Sequence, residues 1–250
     1  MDDQLKHDLE TVGKMRVYFG HQSVGRNILQ GLKEIAAEAR SSAITFVSLE
    51  EATTLSGPFF AESTIGENGN PDSKCDAFRN VIDREQFGDS LDIAFAKFCY
   101  VDIHAGTNVE EMFAYYRQTI STLQREHPNV RIMHTTVPLT TSSAGWKRMI
   151  KKIIGRSDVS DIEAYKRSAF NEMILQEYGK TLVFDLAAIE SRKSDGTKSS
   201  FDFEGKTVYT LLPEYTDDGG HLNQKGQRVV ARELLRTLAM AGAGRHNSVK

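Results

Sequence analysis

Arg16-Val17-Tyr18-Phe19-Gly20-His21-Gln22-Ser23-Val24-Gly25 is the stretch from which the fold is read. Arg16 to Gly20 is a short apolar run of strand type. From Val24 to Arg40 the apolar side chains recur at Val24, Ile28, Leu32, Ile35 and Ala39, the spacing of a helical stripe. A strand that passes directly into a helix is the first half of a crossover unit, and crossovers make parallel sheets. The alternation continues downstream. Ile44 to Leu49, Leu91 to Cys99, Val130 to Thr136 and Thr181 to Asp185 are the further strands. Cys75 to Arg84, Val109 to Leu123, Gly145 to Ile154, Ile162 to Tyr178 and Asn223 to Leu238 are the further helices. Pro58 to Ser73, rich in Gly, Asn, Pro and Ser, is expected to be a long loop. Glu190 to Lys206 is expected to be a polar surface excursion. The pattern predicts an α/β fold with three α/β/α layers: a five-stranded parallel sheet covered on both faces. No internal repeat or linker divides it, so one domain is expected over 1–250, with 1–14 as an N-terminal extension and 240–250 as a flexible tail.

Composition narrows the function. The 250 residues are 40% hydrophobic and 26% charged, which excludes a disordered chain. Lys+Arg number 31 against 34 Asp+Glu, a net charge of −3, so no basic excess is present to neutralise phosphates and no nucleic-acid partner is expected. No apolar run reaches the length of a membrane span. The first apolar stretch, Arg16 to Phe19, is too short for a signal-peptide core, so the chain as given is expected to be cytoplasmic; a trimmed leader would make it secreted or periplasmic. Cys75 and Cys99 have no partner at CxxC spacing and are expected to be buried thiols. No HExxH or His/Cys spacing points to zinc, and no GxGxxG or P-loop follows the first strand. Neither a metal nor an organic cofactor is expected. Trp146, Lys147, Arg148, Lys151 and Lys152 would form a basic, solvated helix face.

In parallel sheets, ligands meet the protein at the carboxyl edge of the strands. Two segments there carry chemistry. Ser23 stands where the first strand becomes a helix. It is either an N-cap or a hydroxyl held beside the positive end of a helix, where an oxyanion is also welcome. Near the other end, Asp217-Asp218-Gly219-Gly220-His221-Leu222-Asn223 precedes a helix. The two glycines allow the Asp218 carboxylate to meet one nitrogen of His221 and leave the other as a base. The alternative is an Asx turn with a solvated His221.

A Ser near the first helix together with a terminal Asp-x-x-His resembles the SGNH hydrolases, also called GDSL esterases. Element order extends the likeness over the whole domain, but its specific part is two short motifs, DGGHLNQKG and the weaker GHQSVG. The resemblance implies the flavodoxin-like SGNH fold and a serine hydrolase, an esterase or deacetylase. Its Ser-His-Asp triad would be Ser23, His221 and Asp218. The substrate would be a small-molecule ester or an acetylated sugar. It further implies oxyanion donors: the Ser23 N–H, a glycine after the second strand, and an Asn after the third. Gly69 matches the glycine, with Gly66 as fallback. After the third strand, Asp102 matches but Val101 stands in the place of the Asn; either Asn68, Asn70, the Tyr100 hydroxyl or the later Asn108 substitutes, or the donor is missing. Tyr100 is expected to line the substrate pocket; His134, near the end of its strand, either lines it too or is a hydrogen-bonded structural residue, the commoner role of such a His. His21 faces either the cleft or the core, while His104 and His127 occupy a loop and a helix end. The literal string Gly88-Asp89-Ser90-Leu91 precedes a strand and is expected to be a turn at the wrong edge. Two rival functions remain: a carbohydrate- or ligand-binding module that has lost hydrolysis, and a metal-dependent phosphoryl- or sulfuryl-transfer enzyme built on the Asp/His loop.

Overall fold

Along β1 (Arg16–His21), successive side chains enter opposite cores: Val17 and Phe19 pack on one face of a sheet, Tyr18 on the other. This period of two is what a strand covered on both faces requires. The computed structural model describes residues 2–40, 43–84, 87–142, 158–179 and 182–243. β2 (Phe46–Ser48), β3 (Phe59–Thr64), β4 (Ile93–Ala96), β5 (Arg131–Thr135) and β6 (Val183–Phe184) join β1 in a six-stranded sheet of order β2-β3-β1-β4-β5-β6, with every pairing parallel. Helices α1 (Asp3–Val12), α2 (Ser23–Glu38) and the terminal helix contribute to one core. Between them lie the short helices α3 (Leu49–Ala52), α4 (Pro71–Ile82) and α5 (Phe87–Ser90), then α6 (Val109–Glu126), α7 (Val159–Tyr178) and α8 (Leu186–Ser191). The terminal helix is α9 (Gln224–Ala243). α4, α6 and α7 build the second core, and the result is the three-layer α/β/α architecture.

The sheet has six strands where the sequence pattern predicted five. The extra one is β3, inside the stretch expected to be a loop. Its apolar part, Phe59-Phe60-Ala61, is too short to show periodicity, yet both rings are buried, to 2% and 1% exposure. Phe59 and Phe60 are therefore core residues, one in each core. Residues 3–12 are likewise no loose extension, because Leu9 and Val12 belong to the core against α2 and α9. The segment from Glu190 holds a fully buried Glu190 and then a hairpin, β7 (Ser200–Phe203) with β8 (Lys206–Tyr209). Gly88 to Ser90 lie in α5, at the amino end of β4 and so at the opposite edge of the sheet from Ser23. There the Ser90 Oγ donates to the Phe87 carbonyl at 2.7 Å. The predicted helix over 145–154, its basic residues, Thr181 and residues 244–250 lie outside the described residues.

Candidate active site

β1 ends at His21, and α2 begins two residues on, with Ser23 as its first helical residue. Ser23 is not the N-cap. That position belongs to Gln22, whose side chain makes no capping bond and instead donates to the carbonyls of Ile65 and Gly66 at 2.8 and 2.7 Å. The Ser23 hydroxyl is thus released from the capping task. His21 is buried at 1% exposure, so of the two faces expected for it the structure shows the core; its ring nitrogens meet the Gln22 carbonyl and the Glu62 carboxylate. The hydrogen bond to His21 holds the Glu62 carboxyl below its usual range, against the opposing effect of burial.

The second segment reaches Ser23 because α9 packs against α2. The Leu222 N–H donates to Asn27 Oδ1 on α2 at 3.2 Å, and Gln227 Nε2 on α9 holds the Leu222 carbonyl at 2.8 Å. His221 Nε2 then stands 3.0 Å from Ser23 Oγ, across 198 positions of sequence. His221 Nδ1 stands 2.6 Å from Asp218 Oδ2. An ionised carboxylate only accepts, so Nδ1 carries the proton and Nε2 presents its lone pair to the serine hydroxyl. Asp218 is prepared for this: its Oδ1 accepts from the Gly220 and His221 backbone N–H groups at 2.9 and 2.8 Å. The Gly220 N–H, the His221 ring and the His221 N–H together drive its carboxyl far below the usual range. The pair is open to solvent, with side-chain exposures of 41% for His221 and 57% for Asp218.

Tyr100 packs edge-on against the His221 ring, with centroids 5.9 Å apart. A Cβ on residue 220 would stand 2.8 Å from the Tyr100 ring, so only glycine lets the loop come this close. Burial, and then the charge of Asp218, push the Tyr100 phenol up. The Tyr100 carbonyl accepts from the buried Arg167, which also holds Thr140 Oγ1 at 2.9 Å; the neighbouring Thr141 N–H donates to the Gly219 carbonyl at 2.9 Å. Arg167 was not visible as a site residue in the sequence, since a lone Arg within a helical stripe carries no motif.

Two expectations are corrected. The Gly69 N–H does not face Ser23 as a donor; it donates to Asp102 Oδ1 at 2.9 Å. Asp102 is a buried hub that also accepts from the Cys99 N–H at 2.6 Å and from Lys74 Nζ at 2.8 and 2.6 Å. His134 lines no substrate pocket. It is 1% exposed, bonded to the Tyr116 hydroxyl at 2.8 Å and stacked on Tyr178 at 3.5 Å, and burial lowers its pKa to about 4. Asn70 and Asn108 cap α4 and α6 through their side-chain oxygens. Val101 is 44% exposed beside the site.

No family model matches the chain, and no curated protein resembles it in sequence. Solved structures do resemble it. An acetyl esterase serine-to-alanine mutant with acetate ion matches at a TM-score of 0.52 and 14% identity, over 92% of this chain and 99% of that one. A protein described as a GDSL-like lipase from Parabacteroides merdae matches at 0.50 and 12% identity, over 91% and 96%. At these identities the likeness speaks for the fold, a parallel sheet between helices as in the GDSL, or SGNH, hydrolases. Among the described residues, no helix is long and apolar enough to cross a membrane.

Proposed function

We propose that this chain is a divergent SGNH-type serine hydrolase that cleaves carboxylic esters. The observation that carries the reading is the unbroken hydrogen-bonded chain Ser23–His221–Asp218, with links of 3.0 and 2.6 Å. Ser23 Oγ attacks the ester carbonyl while His221 Nε2 takes its proton. The tetrahedral intermediate collapses, the C–O bond to the alcohol breaks, and the departing alkoxide receives that proton. Water, deprotonated by the same nitrogen, then frees the acid and restores Ser23. Asp218 keeps the ring in the tautomer this cycle requires.

The negative oxygen of the intermediate needs donors. The Ser23 N–H lies at the first position of α2, where no intrahelical acceptor exists. Gly66 replaces Gly69 as the second donor. Its carbonyl is held by Gln22, the residue before Ser23, which ties this glycine to the turn that carries the hydroxyl. A half-buried Ser23 beside the solvent-accessible His221 and Asp218 suits a small ester or an acetyl group carried on a larger, sugar-like alcohol.

Ser23→Ala is expected to abolish turnover of a small aryl ester, and a fluorophosphonate probe should label wild-type Ser23. Labelling that is absent while a sugar ligand still binds would replace this reading with a binding module. Unchanged turnover in Ser23→Ala would overturn the nucleophile. Protonation of His221 removes the base, so kcat/KM should fall in acid; a flat profile from neutral pH to about 5 would contradict the mechanism.

A further inference from the structure

His21 is buried two residues before the nucleophile, and the triad does not use it. Its side chain lies against the first turn of α2. A Cβ on residue 25 would stand 2.3 Å from His21 Cβ and 2.7 Å from its Cγ, so glycine there leaves the room that the ring needs. His21 Nδ1 stands 2.9 Å from the Gln22 carbonyl. A carbonyl oxygen only accepts, so Nδ1 carries a proton and donates it. On the far side of the ring, Nε2 stands 3.0 Å from Glu62 Oε2 on β3, the strand paired with β1. Glu62, held below the usual carboxyl range by this bond, likewise only accepts, so Nε2 donates as well.

The Gln22 carbonyl and the Ser23 N–H are the two ends of one planar peptide unit and point in opposite directions. The Arg26 N–H also donates to that carbonyl, at 3.1 Å, and turns it along α2. The Ser23 N–H therefore points out of the helix start. The second bond, from His21, pins the plane of the unit, and a hydrogen bond at its oxygen strengthens the donor at its nitrogen. The Gln22 side chain is spent on the Ile65 and Gly66 carbonyls, and Asn68 is tied through its oxygen to Lys74 at 3.1 Å. We propose that His21, seated against Gly25 and braced by Glu62, is a positioning residue that aims and strengthens the Ser23 N–H toward the negative oxygen of the intermediate. The proposal rests on the serine-hydrolase reading above, in which that N–H is an oxyanion donor.

The test compares two replacements of the ring. His21→Phe keeps an aromatic side chain against Phe19 and deletes both donors. His21→Asn loses the Glu62 contact, but its Nδ2 takes nearly the place of the histidine Nδ1. His21→Phe is expected to lower kcat on a small aryl ester by about 10²-fold with KM unchanged. His21→Asn should recover most of that loss, although it fills the core less well. Wild-type kcat in His21→Phe would overturn the proposal. So would a folded His21→Asn no faster than His21→Phe, because the ring would then serve packing alone. Glu62→Ala leaves the buried ring in place and removes only its partly exposed brace. It is expected to lose about tenfold in kcat, again with KM unchanged, and wild-type kcat there would overturn the proposal whether or not His21→Phe folds. Failure of the serine reading is separate and visible earlier, as unlabelled wild-type protein and an active Ser23→Ala, and it would remove the role of His21 as well.

Discussion

Asp218 divides its two oxygens between two tasks: Oδ1 receives backbone N–H groups and Oδ2 receives the imidazole. Asn at this position keeps the first task through its own Oδ1. It then presents an NH₂ group to His221 Nδ1, which must become an acceptor. The ring proton moves to Nε2 and faces Ser23, so the base is lost by tautomer rather than by displacement. Asp218→Asn is expected to lower kcat by about 10³- to 10⁴-fold. The unfolding midpoint should hardly move, because the side chain is mostly exposed. A variant retaining most of its kcat would show that Asp218 does not set the tautomer. These three residues were legible in the sequence because their meaning is local, a hydroxyl before a helix and a carboxylate three positions before an imidazole. Gly69 was misjudged, and His134 stayed open between pocket and core, because their meaning is not local. The partner of Gly69 lies 33 positions away on Asp102, and His134 is defined by Tyr116 and Tyr178 from two different helices.

Strand β5 carries His134 into the layer beneath α6 and α7, where burial alone lowers its pKa to about 4. The unfolded chain binds that proton at an ordinary imidazole value near 6.5. Between these limits the unfolded state holds more protons than the folded one. Stability is therefore full above the upper limit and is lost as pH falls from about 6.5 toward 4. At 1.36 kcal/mol per pH unit the contribution is about 3 kcal/mol. His134→Asn should be less stable at neutral pH and should lack this acid slope, as followed by urea midpoints from pH 4 to 7; an unchanged slope would place its origin elsewhere. The same scale explains which elements escaped the sequence. Long stripes such as α2 and α6 announce themselves through period. β3 does not, since three apolar residues bounded by Gly57-Pro58 and Glu62-Ser63-Thr64 are too few to count. Its two buried Phe side chains, at about 1.5–3 kcal/mol each, decide the matter only once the sheet exists.

The whole molecule is organised around β1, third from one edge of the sheet, with both cores anchored on it. The site exists because α9 lies against α2 and so carries His221 to Ser23. Gly31 sits at that crossing: a Cβ there would stand 2.4 Å from the Gln227 carbonyl. In an isolated helix, Gly→Ala is favourable by about 1 kcal/mol. Here the sign should reverse. Gly31→Ala is expected to lower the unfolding midpoint and kcat together, and Gly31→Leu to lower both further. A more stable, fully active Gly31→Ala would mean that the crossing tolerates separation and that the loop is placed by other contacts.

The distance of 198 positions between Ser23 and His221 also sets an order of events in time. A ribosome finishes β1 and α2, with Ser23, long before it reaches the imidazole of His221. On the proposed mechanism, a nascent chain stalled ahead of Asp218 is chemically silent however much of the sheet has formed, and hydrolysis switches on only once the Asp218–His221 loop has been made and has settled against α2.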